Sequence, residues 1–213
     1  MVFTIRAFVT FFTIIDPVGL APVVIGLTAH LSDAQRSIIV TRAVIISAII
    51  IAFFAVVGNF LLDRLGISLY AFNMAGGILL FLVAVDMLFG RPSGARETKT
   101  ESDEAMTRED VSVFPLAIPM IAGPGTIATT ILYVNLASGS GNPVDFLSVA
   151  AAIGSALVTA WLVMRSSLWI VNHTGRTGIL VLSRILGILL AALAIQFVLN
   201  GIVEYVHVSG FVK

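Results

Sequence analysis

Five stretches of this chain run for nineteen residues or more without a single charged side chain: Ala43 to Leu62, Ile67 to Val85, Val111 to Ala137, Phe146 to Met164 and Ile185 to Val203. The hydrocarbon core of a bilayer is about 30 Å thick and is crossed by roughly 20 residues of helix. Each stretch therefore reads as a membrane span, and each is too long for a strand of a soluble domain. A sixth apolar run opens the chain. No basic region precedes it and no convincing small-residue cleavage site follows it, so it reads as a retained span and not a signal peptide. With 58% apolar and 11% charged side chains, little is left over for a soluble domain.

With generous ends, six helices are expected over 2–28, 38–62, 67–90, 111–137, 144–171 and 178–203. Between the third and fourth lies Gly90 to Asp110, which holds 10 of the 24 charged residues and reads as a solvated loop. The chain thus divides into a three-helix unit over 1–90, the charged loop over 91–110 and a second three-helix unit over 111–213. Six crossings put both termini on one side with Arg6, Arg64 and Lys213. The other side receives Arg36, Arg42, Arg91, Arg96, Lys99, Arg108, Arg165, Arg176 and Arg184. The excess of basic residues marks the cytoplasmic side. The 90–110 loop is expected there, with both termini on the far, periplasmic side.

The halves resemble each other. A slide of 107 residues lays Asp16, Pro17 and Gly19 on Gly123, Pro124 and Thr126; a slide of 110 lays GILLFLVAVD, from Gly77, on GILLAALAIQ, from Gly187. An odd number of spans in each half makes the two copies enter from opposite faces. The fold class expected is all-α: a polytopic membrane protein of two inverted three-helix repeats, a layout common among secondary transporters.

In the first span of each half the helix is expected to break. Pro17 removes a backbone donor, Gly19 tolerates unusual dihedrals, and Pro22 repeats the disturbance one turn on, so unwinding is expected through 16–22. The second half repeats this with Pro119, Gly123, Pro124 and Gly125 and adds Thr126, Thr129 and Thr130 as hydroxyl partners. Unwound backbone survives at membrane depth only where protein or water satisfies it, so both breaks should face inward. Opposite entry would bring them together near the midplane. Freed N–H groups and helix dipole ends suit a carboxylate there, and freed carbonyls suit an ammonium or cation. Asp16, Pro17, Gly19, Gly123, Pro124, Gly125 and Thr126 are the candidate substrate-binding residues. Asp16 would hold an ammonium or carry a proton, since burial raises a carboxyl pKa. A packing kink is the plainer alternative for any one proline.

Asp86 and Arg184 are expected to pair across helices as a structural ion pair or a gate, and Asn73 and Gln196 to bond between helices or line a pathway. Ala150, Gly154, Gly187 and Ala191 read as small packing residues. Nothing points to an enzyme, a cofactor or a metal. The chain has no cysteine, His30, His173 and His207 lack ligand spacing, no Ser/His/Asp arrangement can be assigned, and the GPG at 123–125 lacks the setting of a nucleotide loop. A formal charge of zero argues against nucleic acid. The expected partners are the lipid bilayer, a small solute and a coupling ion of protons or sodium, with homo-oligomerisation left open.

IDPVGLAPV near the start and IAGPGTI after the charged loop, in six spans, resemble the MarC family of bacterial and archaeal inner-membrane proteins over essentially the whole chain. The resemblance places the family's first motif on Asp16, Pro17, Gly19 and Pro22, and its second on Ala122 to Thr126. It implies a relation to small neutral amino acid transporters of the SnatA type, with a layout similar to LysE-type exporters. The expected function is secondary transport of glycine- or alanine-like amino acids by alternating access around the two breaks. The competing readings are a non-transporting scaffold or regulator acting through its loop, and a passive channel.

Overall fold

The computed structural model describes residues 2–28, 31–89 and 111–209. Every regular element among them is helical: α1 (Val2–Ile15), α2 (Pro17–Leu27), α3 (Asp33–Leu65), α4 (Leu69–Phe89), an irregular wide-turned segment (Ser112–Ile121), α5 (Pro124–Ser140), α6 (Pro143–Arg165) and α7 (Ser167–Ser209). Five are long and apolar enough to cross a membrane, α1 and α2 counting as one span. The Ser112–Ile121 segment and α5, bent by 52°, make a sixth. The charged 91–110 loop lies outside the described residues, as do His30 and the C-terminal Lys213.

Several boundaries differ from those expected, for local reasons. α3 runs from Asp33 to Leu65, where 38–62 was expected. Its start is extended by a capping box, in which Ser32 N–H donates to Gln35 Oε1 (3.0 Å) and Gln35 N–H to Ser32 Oγ (3.4 Å). It ends at Gly66, whose left-handed φ of 67° closes the last turn. The fifth span stops at Arg165, short of 171, and no loop spans 172–178. Helix resumes at Ser167 and continues to Ser209, interrupted at Gly175, whose φ of 70° and ψ of 163° only glycine adopts readily.

The first span is the centre of the bundle. Of its most apolar 18 residues 56% are buried, against 17–39% in the other four spans counted as unbroken. Ala7, Phe11, Ile14 and Ile15 are within 3% of complete burial and recur at helical spacing. Thr10 and Thr13 are buried beside them because their hydroxyls donate back to Arg6 and Val9 carbonyls at 2.8 and 2.7 Å. Around this centre every span presents large apolar side chains outward, such as Ile45, Val56, Phe81, Leu147, Val158 and Ile188, as lipid-facing surface requires.

Apolar burial drives no association inside lipid, so the spans are joined by close backbone approach and polar bonds. α4 and α7 run antiparallel in extensive contact. A Cβ on Gly77 would meet the Ala194 carbonyl oxygen at 2.7 Å and the Val198 nitrogen at 3.0 Å; one on Gly187 would meet the Ala84 carbonyl oxygen at 3.2 Å and the Leu88 nitrogen at 3.3 Å. Asn135 donates to Asn59 Oδ1 (2.6 Å) between α5 and α3, and Trp161 Nε1 to Thr41 Oγ1 (2.9 Å) between α6 and α3. Of the small residues singled out in the sequence, Gly187 and Ala191 pack between helices, whereas Ala150 and Gly154 are exposed and a Cβ on Gly154 would meet nothing within 4 Å.

Candidate functional site

The first break is a single residue. Asp16, midway along the span Phe3–Leu27, has φ 49° and ψ 62°, in the left-handed region, while Asp16 N–H still donates to Phe12 O and Leu20 N–H to Asp16 O, both at 3.0 Å. The helical ladder thus closes on either side of it. The unwinding expected through 16–22 does not occur, and Pro22 lies inside α2. Asp16 is the N-cap of α2: its Oδ1 accepts from Gly19 N–H at 3.1 Å, and Pro17 follows at the first helical position, where its missing N–H costs nothing. Gly19 is a glycine because a Cβ there would collide with Asp16 Oδ2. Aspartate and proline stand together here as a helix start within a membrane span. Asp16 is 4% exposed.

The second break is wider than expected. Phe114 and Ile118 are extended, as residues before proline tend to be, and both peptide bonds into Pro115 and Pro119 are cis. The freed Ala117 carbonyl accepts from Ala122 N–H at 2.9 Å, and Ser47 Oγ approaches it at 3.4 Å from α3. Gly123 is the N-cap residue of α5 with Pro124 at its first position, and a Cβ on Gly123 would strike the Pro119 carbonyl oxygen. This break does not face wholly inward. Gly123, Gly125 and Thr126 are buried, but Ile118 and Pro124 are exposed. Neither carries an unmet polar need outward, since the proline has no N–H and isoleucine is at home in lipid.

The two starts lie side by side. A Cβ on Gly125 would sit 3.6 Å from Ile14 Cγ2 and 3.1 Å from Leu80 Cδ2, so the chain two residues before Asp16 touches the chain two residues after Gly123. Their electrostatics differ. The N-terminus of α2 holds its own carboxylate, whereas no side chain caps the N-terminus of α5. The start of α5 carries the positive end of its helix dipole.

Beyond this junction a crevice opens between α4, α5 and α7. Phe72, Asn73, Gly76, Leu80, Ala128, Thr129, Leu132 and Phe197 line it, and it is nowhere wide enough for a water molecule. Asn73 Oδ1 and Thr129 Oγ1, in residues 6% and 1% exposed, are buried without a hydrogen-bond partner. Buried polar atoms are satisfied as a rule, and each orphan costs about 1–3 kcal/mol.

Two residues of this site had no role in the sequence reading. Tyr133 bonds Thr10 Oγ1 at 2.9 Å and packs its ring against Phe3, Phe11 and Phe197, tying α5 to α1 and α7. A tyrosine inside an apolar run was the available signal, because its hydroxyl needs a partner. Of the further candidates, only Asn73 joins the site. Gln196 is exposed and donates to Asn200 Oδ1 at 2.8 Å, one turn along its own helix. Arg184 is exposed and Asp86 half-buried, while Arg36 pairs with Asp33 at 2.8 Å. No cluster of potential metal ligands occurs among the described residues.

The profile of the "MarC family integral membrane protein" matches residues 1–206. The chain belongs to the MarC family. It is 36% identical to a UPF0056 membrane protein of Pyrococcus abyssi, with 92% of each chain aligned, and 36% identical to one of Methanocaldococcus jannaschii, with 93% of this chain and 95% of the relative aligned. The Escherichia coli UPF0056 membrane protein YhcE is 35% identical over 92% of this chain and 90% of its own. No solved structure matches. Membership makes the chain an integral, multi-pass membrane protein, and the printed names of these relatives carry no substrate.

Proposed function

We propose that the chain is a secondary transporter of small neutral amino acids, glycine- or alanine-like, that works by alternating access around the Asp16 and Gly123 helix starts. The observation that carries this reading is the junction itself. Two proline-started helices begin beside each other at membrane depth, one holding a fixed carboxylate and the other lacking a cap. A zwitterion's carboxylate matches the α5 N-terminus at Gly125 and Thr126. Asp16 supplies the negative charge for its ammonium.

Internal symmetry supports the alternating part. The Gly77 contacts with Ala194 and Val198 become the Gly187 contacts with Ala84 and Leu88 when 110 is added or subtracted. The first span packs on α6 and α7 as the fourth packs on α3 and α4. Inverted repeats of this kind can exchange conformations and so open to either side. The closed Asn73–Thr129 crevice suits an occluded arrangement in which α5 must shift on α4 before the orphaned oxygens meet a ligand or coupling ion. The excess of basic residues on the 90–110 side supports an inner-membrane orientation with that side in the cytoplasm and the termini in the periplasm.

The test is counterflow into liposomes. Vesicles holding the purified chain and preloaded with unlabelled glycine or alanine should accumulate labelled glycine transiently, and Asp16→Asn should reduce this flux at least tenfold. Absence of saturable, preload-stimulated flux for every small neutral amino acid ends the proposal. Flux without preload stimulation points instead to a passive channel.

A further inference from the structure

At the ends of α3 and α6, away from the junction, two arginines converge on one open cavity of about 360 Å³. Asp33, Arg36 and Ser37 line it from the first turns of α3, Arg165 and Ser166 from the end of α6, and Leu168 and Trp169 from the first turn of α7. The Arg36 side chain is only 9% exposed and is held rigidly: Nε donates to Thr28 Oγ1 (2.8 Å), Nη2 to Thr28 O (3.3 Å) and Nη1 to Asp33 Oδ1 (2.8 Å). A guanidinium carries five N–H donors, so these bonds leave capacity toward the cavity. Arg165 is held over the Trp161 ring, 5.3 Å from its centroid, and it donates to Ser37 Oγ.

Asp33 offsets one arginine, which leaves the cavity with one net positive charge. Its position selects the occupant. The cavity lies where two spans end, and its outer wall is apolar and lipid-facing, with Leu168 38% and Trp169 64% exposed. A tryptophan at 169, 64% exposed, fits the headgroup layer. We propose that this cavity binds the phosphodiester of an anionic phospholipid. The single charge of that group matches the net charge of the pocket, Arg36 and Arg165 take its oxygens, the Ser37 and Ser166 hydroxyls reach its headgroup, and the acyl chains descend past Leu168 and Trp169.

The experiment measures thermal unfolding of the detergent-purified protein with added phosphatidylglycerol, phosphatidylcholine or inorganic phosphate, and native mass spectrometry of the lipids retained. Phosphatidylglycerol should raise the unfolding midpoint of the wild type more than phosphatidylcholine does. Arg165→Gln, at an exposed position that folding tolerates, should lose at least half of that extra rise and retain fewer phosphatidylglycerol molecules, with Arg165→Lys falling between. Equal shifts from the two lipids, equal retention by wild type and Arg165→Gln, or a shift reproduced in full by inorganic phosphate would each overturn the proposal. The last outcome would mark a free-anion site. Glycine flux plays no part in these readouts, so they stand apart from the transport reading.

Discussion

Gly77 and Gly187, 110 positions apart, occupy exchanged places in a single helix interface: each lies against the backbone of the other's helix, at residues that differ by the same 110. A Cβ at Gly77 has no room without parting α4 from α7, whereas one at Gly187 asks its neighbours to give by a few tenths of an ångström. Gly77→Ala should destabilise the protein by about 1–3 kcal/mol, the usual cost of overpacking, and Gly187→Ala by less. Gly154→Ala, in open space, should leave stability unchanged or slightly higher. Thermal unfolding in detergent, read by the loss of helical circular dichroism, compares all three.

Asp16 has a structural duty that can be separated from a chemical one. Asn caps helices as well as Asp and also tolerates the left-handed region, whereas Ala does neither. Asp16→Ala should cost about 2–4 kcal/mol, from loss of the cap and left-handed strain together. Asp16→Asn should unfold within about 1 kcal/mol of the wild type. Loss of transport in the stable Asn variant then belongs to the charge. Equal stability losses in the two variants would show that the cap geometry is not what holds Asp16 in place.

The Thr10–Tyr133 bond should be modest. Interhelical hydrogen bonds within membranes average about 0.6 kcal/mol, because the unfolded chain also finds partners in lipid. A double-mutant cycle of Tyr133→Phe with Thr10→Val should give a coupling of about 0.5–1.5 kcal/mol. A coupling indistinguishable from zero would mean that the Tyr133 ring contacts, and not its hydroxyl, bind α5 to α1.

Thr129 should show opposite effects on stability and function. Its hydroxyl is buried without a partner, so Thr129→Val, nearly equal in shape, should be neutral or stabilising by up to about 2 kcal/mol. If the hydroxyl serves a ligand in another conformation, the same variant should lose flux in the counterflow assay. A destabilised Thr129→Val would reveal a hydrogen bond at this site and remove the crevice from the transport reading.

The positions of the spans were legible because charge-free runs of membrane length have few alternatives. The helix starts were only half legible. Asp-Pro and Gly-Pro marked the right places, but two prolines in six residues suggested a long unwound stretch at 16–22. Asp16 confines that disturbance to one residue by capping α2, a local satisfaction that counting helix breakers does not register. The reverse error occurred in the second half, where the prolines at 115 and 119 extend the irregular stretch back to Ser112. Asp86 and Arg184 were read as an interhelical pair or gate, and Gln196 as an interhelical bond or pathway lining, because they are polar within apolar runs. Two of them turned outward, since periodicity is weak in helices that are apolar on every side and the facing of a given residue cannot be read from it.

What the sequence determined by itself was the number of crossings and the two points where helices must restart, because lipid forbids unsatisfied backbone and only a few residue types start a helix without a preceding turn. Tertiary structure alone decided which groups meet. Ile14 reaches Gly125, Thr10 reaches Tyr133, and Asn73 and Thr129 share a closed crevice, since side chains 56 to 123 positions apart come together only through the packing of whole helices, for which a linear pattern holds no coordinate.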